Sequence, residues 1–351
     1  MAEKLKAPFP WFGGKSRVSN LVWERFGDVK VYVEPFAGSL AVLLGRPDSH
    51  KGRREIVNDF DAHICNLWRS VRYSPEEVIE AADYPINEPD LHAWHVWLVS
   101  WLTDERRERF MSDPSYHEPQ VAGRWLWGIC QWIGSGWCRQ QAVSKDERGL
   151  TSVRTTRQMP DCATTGGGTR GVAKIPRKRP AISTLSNGAG FGVGIVPQKN
   201  DDEALSWTIL IKALCERLRH VRVCCGDWKR IVTHPVLGYS VGTCGLFLDP
   251  PYGDMGRTSG LYSNDNLSIS KEVLNWCAEN GSIPNLRIAL CGYEGEHNEL
   301  DNLGWTKVEW KATGGYGSKK GKGLKNRNLE RIWFSPECLD PQPVAQMEFW
   351  Q

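Results

Sequence analysis

The sequence predicts an α/β protein in which helices cover both faces of a parallel sheet. The first observation is that residues 29–33 (VKVYV) and 55–58 (EIVN) are short β-branched runs, each followed by a loop and a segment with apolar residues at helical spacing. The second is that the same alternation of strand and helix resumes after about residue 201. Repeated strand–loop–helix units are typical of a parallel sheet between layers of helices.

The elements after residue 201 can be placed in chain order. Residues 204–220 and 270–280 have the apolar spacing of amphipathic helices. Four apolar runs predict further strands: 221–228 (VRVCCGDW), 245–252 (GLFLDPPY), 286–293 (LRIALCGY) and 328–335 (NLERIWFS). Proline cannot donate to a sheet ladder, so the second of these strands must stop at the two prolines.

The middle of the chain differs in composition from both ends. Residues 76–140 have a helical, tryptophan-rich pattern, whereas residues 141–200 lose periodicity and contain glycine-rich runs. Strands on the two sides of this region most simply belong to one sheet. We therefore predict a discontinuous domain formed by residues 1–75 and 201–351, with residues 76–200 inserted into it.

Composition excludes several classes of protein. The hydrophobic content of 40% and the charged content of 24% are ordinary for a globular protein, and no apolar run is long enough to span a bilayer. The N-terminus lacks the apolar core of a signal peptide, so we expect a cytoplasmic protein with no membrane partner. The net charge of only +3 means that any signal for nucleic-acid binding must come from local clusters.

Cysteine and histidine residues do not predict a metal site. The eleven cysteines include no CxxC pair and indicate reduced thiols rather than a disulfide framework or a zinc site. His92 and His95 are three residues apart and could be two metal ligands. They also fit a tryptophan-rich helix that packs its own face, and we favour that interpretation.

The loops after the first two strands contain residues that suit a nucleoside. Gly38 stands where the chain turns from strand to helix, and a glycine there leaves backbone N–H groups accessible to a ligand. It could equally be only a turn. Asp59 ends the second strand, where an acid can bind the two hydroxyls of a ribose. Asp59 or Asp61 could instead be the N-cap of the following helix.

The segment DPPY, residues 249–252, follows a buried strand. The Asp249 carboxylate and the Pro250 carbonyl are two acceptors that together fit an amino group with two hydrogens. Tyr252 offers a flat face on which a planar ring can stack. The segment therefore suits an aromatic amine, although a type I or II turn with proline at its second position would have the same composition.

Taken together, EPFAGS (residues 34–39) and DPPY resemble the signature of the S-adenosylmethionine-dependent N6-adenine DNA methyltransferases of the Dam-like, or D12, class. Other segments resemble motifs of this family in family order: WFGGK (11–15), NDFD (58–61), VCCGDW (223–228) and NRNLERIWFS (326–335). The resemblance covers residues of about 9–70 and 220–335. The remaining middle segment carries no comparable motif.

The resemblance implies a Rossmann-like class I methyltransferase sheet and a site-specific enzyme that methylates N6 of a flipped-out adenine in double-stranded DNA. It implies a catalytic set of Asp249, Pro250, Pro251 and Tyr252. It implies that S-adenosylmethionine is bound by Trp11, Gly14, Lys15, Glu34, Pro35, Phe36, Ala37, Gly38, Ser39, Asp59, Phe60, Asp227, Trp228 and Asp249. No metal is expected to take part in this reaction.

Two positions refine the resemblance. The family often has a second glycine two residues after Gly38, where this chain has Leu40, and a side chain there limits how closely the backbone can approach the cofactor. Aspartate in DPPY is implied for adenine, while serine in that place is commoner among cytosine-N4 enzymes. Asp249 therefore favours adenine as the target base.

Two clusters of basic residues are candidates for contacts to DNA. Between Leu150 and Lys199 there are eight Lys or Arg residues against one acid, Asp161. Those we assign to DNA phosphates or bases are Arg154, Arg157, Arg170, Lys174, Arg177, Lys178 and Arg179. The second cluster contains Lys319, Lys320 and Lys322. Either cluster could instead be a solvated loop or hairpin.

The sequence leaves rival functions open. A cytosine-N4 or RNA methyltransferase could use the same scaffold, and an inactive DNA-binding homologue could retain the fold. Four intact residues, Lys15, Asp59, Asp249 and Tyr252, argue against the inactive alternative. The sequence predicts neither the recognition site nor whether the protein is a monomer or a homodimer.

Overall fold

A computed structural model describes most of the chain. The described residues are 5–11, 15–47, 53–132, 137–138, 143–145, 151–153, 201–251, 267–310 and 329–341, with the backbone alone for 143–145, 151–153, 201–207 and 267. The strands are β1 (Val31–Glu34), β2 (Arg54–Asp59), β3 (Val143–Lys145), β4 (Thr151–Val153), β5 (Val221–Cys225), β6 (Cys244–Leu248), β7 (Leu286–Tyr293), β8 (Thr306–Glu309) and β9 (Glu330–Phe334).

The helices are α1 (Ser19–Phe26), α2 (Ala41–Leu44), α3 (Ala62–Tyr73), α4 (Pro75–Ala82), α5 (Glu88–Trp101), α6 (Asp104–Ser112), α7 (Pro119–Gln131), α8 (Asp201–Leu218), α9 (His234–Leu237) and α10 (Leu267–Asn280). Local chemistry explains where several of them begin. The side chains of Asn87 and Thr103 accept hydrogen bonds from backbone N–H groups at the starts of α5 and α6. Proline occupies a first-turn position of α4 and α7, where no N–H donor is needed.

The main sheet has seven strands in the order β5-β2-β1-β6-β7-β9-β8. Strands β5, β2, β1, β6 and β7 are parallel to their neighbours in this series. Strand β9 is antiparallel to both β7 and β8. The predicted α/β architecture is confirmed, and the carboxyl ends of the five parallel strands meet at one edge of the sheet.

The sheet is covered on both faces because its central strands are apolar along their whole length. In β1 and β6 the burial pattern is continuous, and successive side chains alternate between two hydrophobic cores. Tyr32 and Phe247 pack in the core formed with α1, α3, α7 and α8. Val33 and Leu246 pack in the core formed with α9 and α10.

Helices α4 to α7 pack directly on the sheet domain. Val78, Leu98 and Trp125 lie in the same hydrophobic cluster as Leu67 of α3. The buried Arg69 of α3 donates to the carbonyls of Phe110, Asp113 and Tyr116, at and after the end of α6, and to that of Val223 in β5. The described helices therefore share a core with the sheet, and the boundary after residue 75 stays a prediction.

The segment in which no periodicity was found contains a short two-stranded ladder. Strands β3 and β4 pair antiparallel, with Ser144 opposite Ser152. Each strand has only three residues, which is too short for an alternating pattern to stand out in the sequence. Among the described residues, no helix combines the length and the apolar character needed to cross a bilayer.

Candidate active site

A cleft opens where the carboxyl ends of the central parallel strands meet. The residues that line it are Trp11, Lys15, Glu34, Phe36, Ala37, Gly38, Ser39, Ala41, Phe247 and Asp249. The structure thus brings together residues from the 11–15, 34–39 and DPPY segments, which are far apart in the sequence.

Gly38 and Asp59 are bonded to each other at the ends of neighbouring strands. The Gly38 N–H donates to Asp59 Oδ2 at 2.8 Å, and the Asp61 N–H donates to Asp59 Oδ1 at 2.9 Å. Asp61 is the residue that caps α3, through a bond from the His63 N–H. Asp59 is therefore not the helix cap, and this alternative interpretation of Asp59 was wrong.

The environment of Asp59 favours its protonated form. Burial first, and then the charge of Asp61, raise the pKa of the Asp59 carboxyl from its ordinary value to about 6. The hydrogen bonds from backbone N–H groups act in the opposite direction. Asp59 thus changes charge in the mildly acidic range.

Gly38 has a backbone conformation and surroundings that exclude a side chain. Its φ is +45°, and a Cβ atom there would lie 2.6 Å from Nε1 of Trp11. Trp68 Nε1 also donates to the Gly38 carbonyl at 2.9 Å. Two indole rings and Asp59 therefore hold this turn in place. These contacts favour a role for the turn beyond the connection of a strand to a helix.

Glu34 lies at the end of β1 and is almost completely buried. The Tyr32 hydroxyl donates to Glu34 Oε2 at 2.9 Å. Burial raises the pKa of Glu34 to about 8, with a contribution in the same direction from Asp249, while the Tyr32 hydrogen bond opposes the shift. Removal from water thus raises the pKa of two acidic residues here, Glu34 in the cleft wall and Asp59 beside Gly38.

Asp249 forms an ion pair with Lys15. Lys15 Nζ lies 3.0 Å from Asp249 Oδ1 and 3.9 Å from Glu330 Oε2, and it also faces the Trp310 ring at 5.4 Å. Burial by itself would lower the pKa of Lys15, but the neighbouring acidic groups, Asp249 foremost, raise it above the ordinary value. Lys15 therefore stays charged and holds the Asp249 carboxylate in place.

A second turn lies beside the first at the end of β5. Asp227 begins a short 3-10 helix, Trp228–Ile231, and accepts a hydrogen bond from the Lys229 N–H at 2.8 Å. The buried Trp228 ring lies 6.1 Å from that of Phe36, centroid to centroid. Phe60, which follows Asp59, is 54% exposed. These aromatic side chains border the ends of β1, β2 and β5.

Leu40 does not line the cleft. It adopts a left-handed conformation, with φ 56° and ψ 25°, and its side chain is fully buried in the hydrophobic core. The backbone shape that a glycine would favour is thus kept at this position. The structure therefore gives no indication that this side chain limits how closely the backbone can approach the cofactor.

Two prolines of the DPPY segment are described: Pro250 is buried and Pro251 is half-buried, directly after Asp249. Several other predicted site residues lie outside the described residues. They are Gly14, Tyr252, Arg154, Arg157, Arg170, Lys174, Arg177, Lys178, Arg179, Lys319, Lys320 and Lys322.

The histidine pair belongs to the aromatic packing of α5. His95 stacks on Trp132 with centroids 4.8 Å apart, and its Nδ1 faces the Cys138 N–H at 3.2 Å. His92 lies 3.6 Å from the Glu88 carboxylate. These contacts favour the packing interpretation. In the part of the chain that the structure describes, no group of three or more His, Cys, Asp or Glu side chains is placed to hold a metal ion.

Sequence reasoning missed two cleft-lining residues, Ala41 and Phe247, and one acidic neighbour of Lys15, Glu330. Phe247 precedes Asp249 by two positions, so strand alternation could have placed both on one side of the sheet. Glu330 approaches Lys15 from β9, and no feature of the sequence indicates that pairing.

Comparison with known proteins finds a family model that is similar to the N-terminal part of the chain. Residues 11–91 match the family model described as D12 class N6 adenine-specific DNA methyltransferase. A search of curated proteins gives no match. The family match confirms the resemblance inferred from the motifs and indicates an adenine-specific DNA methyltransferase. The matched segment contains Lys15 and Gly38, which line the cleft, and Asp59, which accepts a hydrogen bond from the Gly38 N–H.

Proposed function

We propose that this D12 class, adenine-specific DNA methyltransferase transfers a methyl group from S-adenosylmethionine to N6 of an adenine that has been flipped out of double-stranded DNA. The observation that carries the proposal is that Gly38 and Asp249 line one cleft. The first belongs to the segment suited to a nucleoside, and the second to the segment suited to an aromatic amine. A donor and an acceptor bound by these two segments would therefore be adjacent.

The residues around Gly38 fit the nucleoside part of the cofactor. Asp59 is held by backbone N–H groups, and a carboxylate has further lone pairs with which to accept the ribose hydroxyls. In this proposal Asp227, Trp228 and Phe60 flank the adenine ring, and residues 34–39 with Trp11, Gly14 and Lys15 complete the site. S-adenosylmethionine, when bound, supplies an electrophilic methyl group on sulfur.

The DPPY segment would then hold the target base. The base must leave the helix, because its amino group is inaccessible inside the duplex. Asp249 and the Pro250 carbonyl would accept the two amino hydrogens, and Tyr252 would stack on the ring. Asp249 would also stabilise the positive charge that develops on nitrogen. Lys15 orients the Asp249 carboxylate, so most of the catalytic effect is positioning.

We also propose an architecture for the protein and the residues that contact DNA. The sheet is taken to be of the Rossmann-like class I methyltransferase type, with residues 76–200 as an inserted target-recognition region. The basic residues between 154 and 179 would contact phosphates. Replacement of Arg177, Lys178 and Arg179 by Gln should weaken DNA binding and flatten its salt dependence. An unchanged salt slope would place the DNA contacts elsewhere.

Transfer of tritium from labelled S-adenosylmethionine to plasmid DNA, followed by nucleoside analysis, tests the reaction. We expect N6-methyladenine. Labelled N4-methylcytosine alone would contradict the choice of base, and the absence of label would contradict the cofactor or the activity. The variant Asp249→Asn should abolish transfer but retain DNA binding. Asp104→Asn, at an exposed helix start, is the matched control and should remain active.

A further inference from the structure

We infer that Asn58 is a positioning residue that sets the spacing between the two loops of the cofactor site. Asn58 is the next-to-last residue of β2 and is 1% exposed. Its Nδ2 atom donates to the Pro35 carbonyl at 3.1 Å and to the Gly226 carbonyl at 2.9 Å. Both hydrogens of one side-chain amide are therefore used to join two separate loops. The inference rests on the proposed function, since these loops are the ones assigned to S-adenosylmethionine.

The position of β2 explains why a bridge is needed. Strand β2 lies between β1 and β5 in the sheet, so the loops that follow β1 and β5 share no ladder hydrogen bonds. The main chain of β2 accepts one hydrogen bond from each loop. The Ala37 N–H donates to the Asn58 carbonyl, and the Gly226 N–H donates to the Asp59 carbonyl, each at 2.9 Å. The Asn58 side chain adds a single group that contacts both loops.

The two loops carry the groups that would enclose the nucleoside. Pro35 is followed by the 36–39 segment of the cleft wall, and Gly226 is followed by Asp227 and Trp228. Gly226 has a φ of +121°, and a Cβ atom there would lie 2.8 Å from Arg230 and 3.2 Å from Met111, so a residue with a side chain would strain this turn. A change in the distance between Pro35 and Gly226 would therefore change the width of the proposed nucleoside site.

The choice of asparagine is costly for the fold, which argues for a specific role. Asn58 Oδ1 is buried and has no hydrogen-bond partner among the described residues. An unsatisfied buried acceptor lowers stability, because it loses its hydrogen bonds to water without replacement. Aspartate would face two carbonyls with a group that only accepts when ionised, and leucine would offer no donor. Among residues of this size, asparagine alone supplies two donors from one nitrogen.

Asn66 provides a matched control in the same protein. It is fully buried in α3, donates to the Glu118 carbonyl at 3.0 Å and accepts from the Glu118 N–H at 2.7 Å. These hydrogen bonds join α3 to the start of α7 and reach neither of the two loops that Asn58 joins. A purely structural role for Asn58 predicts that Asn58 and Asn66 variants behave alike in cofactor binding.

The test compares Asn58→Leu with Asn66→Leu in the full chain. Calorimetric titration with S-adenosylmethionine and steady-state methylation of plasmid DNA are the two readouts, with thermal unfolding as a check on the fold. We expect Asn58→Leu to weaken cofactor binding by about tenfold or more, since small misplacement of binding groups has large effects, and to raise KM more than it lowers kcat. Asn66→Leu should lower the melting temperature but leave cofactor affinity within about twofold of the wild type.

The outcomes separate this inference from the proposed function. Equal affinities of wild type and Asn58→Leu, or equal losses in the Asn58 and Asn66 variants, would overturn the positioning role alone. A wild-type protein that binds no S-adenosylmethionine would overturn both. If Asn58→Leu does not fold, Asn58→Asp keeps the shape of the side chain. It should bind the cofactor more weakly than the wild type at pH 8, and unchanged affinity would contradict the inference.

Discussion

Lys15 Nζ lies 3.0 Å from Asp249 Oδ1, so a lysine from the start of the chain holds the carboxylate that follows β6. The side chain of Lys15 is 6% exposed, and that of Glu330, its second acidic neighbour, is 8% exposed. One buried cation therefore separates two acidic side chains. Its removal would leave negative charges facing each other in a poorly solvated place.

Lys15→Met keeps the length of the side chain and removes its charge. We expect a loss of about 3–5 kcal/mol in the free energy of unfolding, because breaking a buried pair leaves an uncompensated charge. Methyl transfer should fall by at least about 100-fold, because Asp249 loses its orientation. Urea unfolding and the tritium assay measure the two effects.

Arg219→Met, which breaks the exposed pair with Glu216, should change stability by less than about 1 kcal/mol. Equal effects of the two variants would contradict the role of Lys15.

The pKa of Asp59 predicts how cofactor binding depends on pH. The carboxyl has a pKa of about 6, and its ionised form is the better acceptor for two ribose hydroxyls, because protonation turns one of its oxygens into a donor. Affinity for S-adenosylmethionine should therefore fall as the pH decreases from 7.5 to 5. Calorimetric titration across this range measures the change. Asp59→Asn should bind weakly with a flatter profile, because its side chain does not titrate. A wild-type affinity that stays constant to pH 5 would argue against a ribose contact.

Glu34 predicts a dependence of stability on pH. Its folded-state pKa of about 8 is above the ordinary value of 4.5, so the folded protein retains this proton more strongly than the unfolded chain. The resulting contribution is fully present below pH 4.5 and is lost as the pH rises through 8. The slope can reach about 1.4 kcal/mol per pH unit for one proton. Urea unfolding of wild type and Glu34→Gln at pH 5.5, 7 and 8.5 should show a smaller decrease for the variant, and parallel curves would contradict this assignment.

The sequence predicts the parallel part of the fold well because β-branched and apolar runs alternate with helical spacing there. It predicts much of the cleft because Trp11, Lys15, Gly38 and Asp249 belong to ordered motifs. What it leaves open depends on contacts between distant segments. Nothing near Asp59 in the sequence shows that it bonds Gly38 whereas Asp61 caps α3.

The packing of the helical middle of the chain could not be predicted from the sequence. Its change in composition predicts an inserted unit, which stays a prediction, and Val78, Leu98 and Trp125 pack in the same core as residues of α3. Composition reports which side chains are present, while packing depends on where α3 and α7 meet. Arg69 joins α3 to the end of α6 through three backbone carbonyls. The residues next to Arg69 in the sequence give no indication of this role.

Leu40 allows a test that separates backbone strain from side-chain packing. Its φ of 56° costs an ordinary residue about 1–2 kcal/mol, whereas glycine adopts this conformation freely. Both Leu40→Ala and Leu40→Gly remove a fully buried side chain and should lose about 2–5 kcal/mol through the cavity. In a normal helix, glycine would be less stable than alanine. At this position we expect Leu40→Gly to be at least as stable as Leu40→Ala in urea unfolding. Because the side chain points into the core and does not line the cleft, both folded variants should keep S-adenosylmethionine affinity within about threefold of the wild type. A clearly less stable glycine variant would show that the left-handed conformation carries no strain here.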